Sequence, residues 1–328
     1  TMGGSFLGGG LAGAVLVLLV GRHFDRSGLL NSGPKRSQEE LDLFRQVAKD
    51  PDNAPLRLKL AGLLEKNGDP MGEFIRIDHE VSAFAPNDAR RTKLDERWGE
   101  LLEKNGRVWL SPLKRYGLEP KIAGTFFPYL WMEHGILSKV EIDRAGILPE
   151  RADELFTNVP GLNTLEFRDG QSIYTGSGWK EIPYDPDIPA IVKLPWMEQI
   201  LNLDVSSIKL TQNEVDAIAS SSALKNLRSL NLNYNPLGDE AAARIARSST
   251  LQKLHTLEMR SCKLTDEAAR SLANSIDLGH LKSLNLGGNE LTAAGAAAIG
   301  SGQLAELTSL NLDGNAIGAE GAARLMSS

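Results

Sequence analysis

The sequence predicts an α/β fold, in which a solenoid of strand–turn–helix repeats is preceded by a small all-α domain and one N-terminal transmembrane helix. Three observations carry this reading. Apolar residues recur at a fixed offset of 27 through the C-terminal part of the chain. Four short amphipathic patterns fill residues 37–113, and residues 1–21 hold no charged side chain.

The repeat is the strongest signal. Leu227, Leu230, Leu232, Asn235 and Leu237 recur as Leu254, Leu257, Met259, Cys262 and Leu264, and then as Leu281, Leu284, Leu286, Asn289 and Leu291. A fourth copy, Leu307, Leu310, Leu312, Asn315 and Ile317, comes one residue sooner, and Ile200, Leu203, Val205, Ile208 and Leu210 precede the series. Eight residues beyond each stand Ile218, Ile245, Leu272, Ile299 and Leu325, which places a helix in the second half of the unit. This spacing resembles the leucine-rich repeat. The alanine-rich returns (Ala242, Ala269, Ala296, Ala322) are similar to the ribonuclease-inhibitor-like class and let helix and strand layers approach. The resemblance implies a horseshoe over residues 200–328. Period two along each strand sends Leu230 and Leu232 inward and Ser229, Asn231 and Asn233 outward. Asn or Cys at the turn supplies polar atoms to buried backbone groups, so Cys262 reads as structural. The apolar stripe of one repeat is too small to offset the ordering of its own backbone, so the units must stack.

A chain of 328 residues has room for more than one domain. Its net charge of −6 argues against a general nucleic-acid binder. One cysteine excludes an internal disulfide and fits a reducing compartment.

Residues 1–21 match the ~20 apolar residues that a bilayer core requires. A cleaved signal peptide is the alternative, but the positively charged start and small-residue cleavage site are missing. Gly4, Gly8, Gly9, Ala12 and Gly13 place small residues three or four apart. That spacing allows close helix approach in lipid and predicts other membrane subunits as partners through residues 3–20; a plain anchor in the lipid bilayer is the simpler alternative. Arg22, Arg26, Lys35 and Arg36 then put the C-terminal part of a single-pass protein on the cytoplasmic side. Residues 22–36 read as a linker.

The helical domain covers residues 37–113. Ser37 and Glu40 form a capping box, with Leu41, Phe44 and Val47 on the apolar side. A second helix spans Leu56 to Lys66. Asp69 and Pro70 read as N-cap and first helical position of the third, which buries Phe74, Ile75, Ile77 and Val81. A fourth starts at Asn87 and stops at Asn105-Gly106, with Trp109 and Leu110 as a tail. The stretches Asp50-Pro51-Asp52, Gly68-Asp69-Pro70, Gly72-Glu73-Phe74-Ile75 and Trp98 to Leu102 resemble the repeat-companion domain that precedes leucine-rich repeats in certain bacteria. That resemblance implies a bacterial interaction protein without established catalysis.

Residues 114–199 hold irregular first repeats. Leu137, Val140, Ile142 and Ile147 fit the template, as do Leu162, Leu165 and Phe167 at an offset of 25. The next offset, to Ile200, is 38, because residues 171–196 form a proline- and aromatic-rich excursion with Tyr174, Trp179, Tyr184 and Trp196. These aromatics either cover the first repeats or contact a protein partner.

The motifs of catalysis are missing. His23, His79, His134, His255 and His280 stand in no zinc spacing, and no phosphate loop or nucleophile elbow occurs. No enzyme, cofactor or metal site is expected. The outward strand positions form polar columns, among them Asn231, Glu258, Asn285 and Asn311, beside Arg260, Asp313 and the neighbouring Tyr234. They are either a solvated surface or the protein-binding face. The resulting expectation is a non-catalytic, membrane-anchored interaction protein, either an accessory or scaffold subunit of a larger membrane complex or a tethered regulator that transiently binds a soluble protein.

Overall fold

A computed structural model describes residues 35–114, 132–142, 147–167, 172–174, 179–181 and 186–326. The chain divides into two compact units, with the boundary between Leu137 and Ser138.

In the first unit four helices, α1 (Gln38–Lys49), α2 (Ala54–Lys66), α3 (Met71–Val81) and α4 (Ala89–Lys114), are joined by the hairpin β1 (Met132–Glu133) and β2 (Ile136–Leu137). The capping box forms as expected: the Glu40 N–H donates to Ser37 Oγ at 3.2 Å and the Ser37 N–H to Glu40 Oε2 at 2.6 Å. Helix α3 begins one residue after Pro70, yet Asp69 still accepts from the Met71 N–H at 2.9 Å. Helix α4 overrides the stop expected at Asn105-Gly106. Asn105 bonds back to the Leu101 carbonyl at 2.9 Å, and the continuing turns bring Trp109 to 4.8 Å from the Phe74 ring. Buried Leu60, Leu64, Phe74, Ile75 and Trp109 centre the core. The closest helix approach is at Gly72, where a Cβ would stand 2.5 Å from the Ala61 carbonyl oxygen and 2.7 Å from the Glu65 nitrogen.

The second unit is built on a seven-stranded sheet. Its strands are β3 (Lys139–Ile142), β4 (Thr164–Phe167), β7 (Asn202–Asp204), β8 (Ser229–Asn231), β9 (Thr256–Glu258), β10 (Ser283–Asn285) and β11 (Ser309–Asn311), in the order 11-10-9-8-7-4-3. All six pairings are parallel, and their registers, from Val140 with Leu165 to Leu284 with Leu310, reproduce the sequence offsets. The returning helices are α5 (Ile147–Asn158), α7 (Gln212–Ser220), α8 (Gly238–Ala246), α9 (Asp266–Ala273), α10 (Ala293–Gly300) and α11 (Gly318–Met326). The excursion contains an antiparallel hairpin, β5 (Ser172–Tyr174) with β6 (Trp179–Glu181), then a short α6 (Ile188–Ile191) and a 3₁₀ turn over Pro195–Gln199.

Small residues hold the helix layer close, as expected for Ala242, Ala269 and Ala296, which are buried. Ala322 in the last repeat is exposed. Consecutive helix starts are also tied together by hydrogen bonds. Asp239 accepts from the Thr265 N–H and hydroxyl at 2.7 and 2.6 Å, and Asp266 accepts likewise from Thr292 at 2.8 and 2.6 Å.

The predicted transmembrane helix is corrected. Among the described residues no helix is long and apolar enough to cross a membrane, and residues 1–21, where it was expected, lie outside the described residues, as does most of the 22–36 linker. The architecture is therefore an α/β repeat solenoid and a helical unit. The four helices of the latter bury their apolar faces in a shared core with the β1–β2 hairpin.

In the last repeat Leu310, Leu312, Ile317 and Leu325 are only partly buried, whereas Leu284, Leu286, Leu291 and Ile299 one repeat earlier are enclosed. Truncating Leu286 to Ala should cost about 2–5 kcal/mol in urea denaturation, and Leu312→Ala less than half of that. Gly72→Ala should cost about 1–3 kcal/mol, because the backbone atoms it would meet cannot rotate away.

The Asp266 carboxyl yields a pH prediction. Burial pushes its pKa up, but the Thr292 side-chain and backbone hydrogen bonds, the Gly295 N–H and the Arg270 charge hold it below the ordinary value. A depressed acid stabilises the fold above the usual aspartate range and ceases to do so as pH falls through its folded-state value. Asp266→Asn should therefore shrink the loss of stability between pH 5 and pH 2, read by denaturation at each pH.

Candidate protein-docking face

Each strand of the second unit leads into a turn whose geometry repeats. The residue before the turn slot, which holds Ile208 in the first repeat and Asn or Cys in the next four, is left-handed in five successive repeats: Ser207 (φ 59°), Tyr234 (59°), Ser261 (54°), Gly288 (65°) and Gly314 (71°). Strand pairing continues through this point. The Tyr234 N–H donates to the Arg260 carbonyl at 2.8 Å and the Ser261 N–H to the Gly287 carbonyl at 2.9 Å.

The next residue locks the turn from inside. Asn235 is fully buried; its Nδ2 donates to the Val205 and Leu232 carbonyls at 2.9 and 3.0 Å, and its Oδ1 accepts from the Leu210 N–H at 3.0 Å. Asn289 and Asn315 make the same contacts two and three repeats on. Cys262 fills the intervening slot with its thiol directed at the Leu232 carbonyl, 3.3 Å away. Burial lifts that thiol to about 11, which suits the structural role expected of it.

The outward columns lie in register. Asp204, Asn231, Glu258, Asn285 and Asn311 stand side by side, and most also cap their own turn: the N–H two residues on donates to Asp204, Asn231, Asn285 and Asn311 at 2.9–3.0 Å. Glu258 departs from this, because Asn233 of the preceding repeat takes the Arg260 N–H at 2.6 Å. The Glu258 carboxylate is held instead by Asn285 at 2.6 Å and Asn233 at 3.3 Å. Arg260 extends over Gly287, where a Cβ would stand 2.7 Å from its Nη1. Beside this group Tyr234 is 55% exposed. A large aromatic, a guanidinium and an oriented carboxylate thus share one rim, while Asp313 ends its row on the exposed last strand.

The excursion residues are placed differently. Tyr174 and Trp179 are register partners in the β5–β6 hairpin, and Tyr184 lies outside the described residues. Trp196 stacks on buried Phe156 with ring centroids 5.7 Å apart and its indole N–H donates to Asp153, so internal packing accounts for it. Gly4, Gly8, Gly9, Ala12 and Gly13 also lie outside the described residues.

Sequence reasoning missed a second ladder. Ser221, Ser248 and Ser275 each donate a hydroxyl to a carbonyl of the preceding repeat, Val192, Ala219 and Ala246 respectively. Gly302 continues the column, where a Cβ would stand 2.5 Å from the Ala273 oxygen and the Gln303 N–H takes over the contact at 2.6 Å. The signal was available as serine at the same 27-residue offset.

A family model described as Leucine Rich repeat matches residues 223–246, 250–273, 280–300 and 306–326, so this part of the chain consists of leucine-rich repeats, with the protein–protein interaction role they imply. Among solved structures the chain is similar to an internalin from Listeria monocytogenes, at 19% identity and a TM-score of 0.33, over 52% of this chain and 54% of that one. The chain thus spans about half the length of that internalin. No curated protein matches.

Asn235→Ala should remove the side-chain partner of the Val205 carbonyl and of the Leu210 N–H, leave the Leu232 carbonyl only the weak Cys262 thiol, and cost about 2–4 kcal/mol. Cys262→Ala, which loses one weak donor, should cost less. Chemical denaturation of both variants checks the order.

Proposed function

We propose that this leucine-rich-repeat chain is a non-catalytic docking protein, an accessory or scaffold component that presents the outward face of its parallel sheet to another protein. The observation that supports this most is Tyr234. A non-glycine residue in the left-handed region costs roughly 1–3 kcal/mol, and the equivalent positions carry serine or glycine. Here a large aromatic takes that position and remains 55% exposed. The Asn235 network and the bond to the Arg260 carbonyl hold the backbone in place. A rigidly mounted tyrosine next to arginine is the composition of an interface hot spot, and its fixed backbone reduces the ordering cost of binding.

The test is site-specific photo-crosslinking in extract of the source cell. A photoreactive phenylalanine analogue at Tyr234 should give a discrete protein adduct, and the same analogue at exposed Glu267 on α9 should not. Adducts from position 267 with none from 234 would move the docking surface off the sheet face. Tyr234→Ala should keep the folding stability within about 1 kcal/mol of the parent while weakening binding to the captured protein at least tenfold.

A further inference from the structure

At the opposite end of the strands from Tyr234, one residue before each strand begins, the repeat positions are Arg228, His255 and Lys282. Backbone hydrogen bonds align them: the His255 N–H donates to the Arg228 carbonyl and the Lys282 N–H to the His255 carbonyl, both at 2.8 Å. Adjacent strands are ~4.8 Å apart, so two cations and a titratable imidazole start along a line of roughly 10 Å. Several neighbouring charges of this rim, like Arg228 itself, have partners. Lys225 meets Glu198 at 3.1 Å, His280 meets Glu306 at 3.0 Å, and Lys253 donates to Asn226 at 2.8 Å. Lys282 is exposed and its ammonium has no hydrogen-bond or ion-pair partner among the described residues. Next to the cations runs a row of hydroxyls, Ser229, Thr256 and Ser283, in strand register. The row beyond that is the amide and carboxylate column of Asn231, Glu258 and Asn285.

We propose that Arg228, His255 and Lys282 form a docking strip for an extended acidic polypeptide segment of a partner protein. This rests on the reading of the sheet face as a protein-docking surface and assigns the charge of what docks there. Two carboxylates three residues apart in an extended segment of polyproline-II geometry share one face about 9 Å apart, close to the span from Arg228 to Lys282. The hydroxyl row can accept or donate to the segment's backbone. The Glu258 row repels acidic side chains, so they are directed to the cationic side. A nucleic acid fits less well, because Glu198, Glu258 and Glu306 flank a strip with only two permanent cations and phosphate binding gains affinity from many contacts.

His255 gives the strip a pH dependence. Burial lowers its pKa, and so do the charges of Lys282, Arg228 and His280, against an opposing pull from Glu306. That lowering favours the neutral imidazole in the unliganded protein, and a carboxylate laid on it favours the protonated form. Binding therefore takes up a proton and strengthens as pH falls, while glutamates of the partner stay ionised down to about pH 4.3.

The probe is a fluorescein-labelled synthetic peptide with Glu at every third position, Gly and Ser between, read by fluorescence anisotropy on the full chain. It should bind at least tenfold tighter than the same peptide with Gln for Glu. Lys282→Glu should weaken it at least tenfold, whereas Lys263→Glu, the same charge change at another exposed lysine, should change it less than threefold. Affinity should rise severalfold from pH 7.5 to 5.5, and His255→Gln should remove that rise. Equal binding of the Gln peptide, equal losses from the two lysine variants, no pH response, or tighter binding of oligothymidylate would each overturn the strip. If the Glu peptide fails while Tyr234 still crosslinks a protein, the strip falls and the docking face stands; if crosslinking through Tyr234 also fails, both fall.

Discussion

The second unit depends on one recurring contact: a buried amide that bonds simultaneously to its own turn and to the turn before it. A parallel strand of three residues brings few hydrogen bonds and would slip or fray if held by its ladder alone. Asn235, Asn289 and Asn315 extend the pairing past the strand and into the turn, because each joins carbonyls of two successive repeats and accepts a backbone N–H. Their burial makes these bonds costly to break. The register from β7 to β11, and with it the alignment of the outward columns there, follows from that repetition.

The serine ladder and the aspartate–threonine ties act at the helix side of each unit in the same manner. Together with the asparagines they fix both layers to the neighbouring repeat at polar points, while the leucines supply non-directional burial between them. The result is a sheet face whose side chains can be varied without disturbing the fold. Glu258 illustrates this: it gives up the capping role of its column, Asn233 assumes that role, and its carboxylate is held by Asn285 and Asn233.

The periodic part of this architecture was legible because every period-27 apolar position and the Asn slot carry direct physical meaning. Boundaries and irregular parts were less so. Helix α4 passes through Asn105-Gly106 because Trp109 gains a place against Phe74, a tertiary contact that local propensity does not register. The β5–β6 hairpin was hidden in an aromatic- and proline-rich stretch without alternation. Trp196 could not be assigned from composition, since the Phe156 ring that covers it lies 40 residues earlier. Hydroxyl residues such as Ser248 look like ordinary surface positions until their common offset is compared. Of the candidate face, the columns were readable in advance; the left-handed mounting of Tyr234 was not, because nothing in a single tyrosine announces a positive φ.

The ties between helix starts are unevenly distributed. Asp239 and Asp266 clasp the threonines that follow them, but the next such position is Ala293, opposite Gly318, and neither side chain can form the clasp. At that junction the tie passes to the sheet side, where Asn315 joins the Leu286 and Leu312 carbonyls and Thr292 bridges to Ala316, so the stack can exchange one kind of polar fastening for another without losing register.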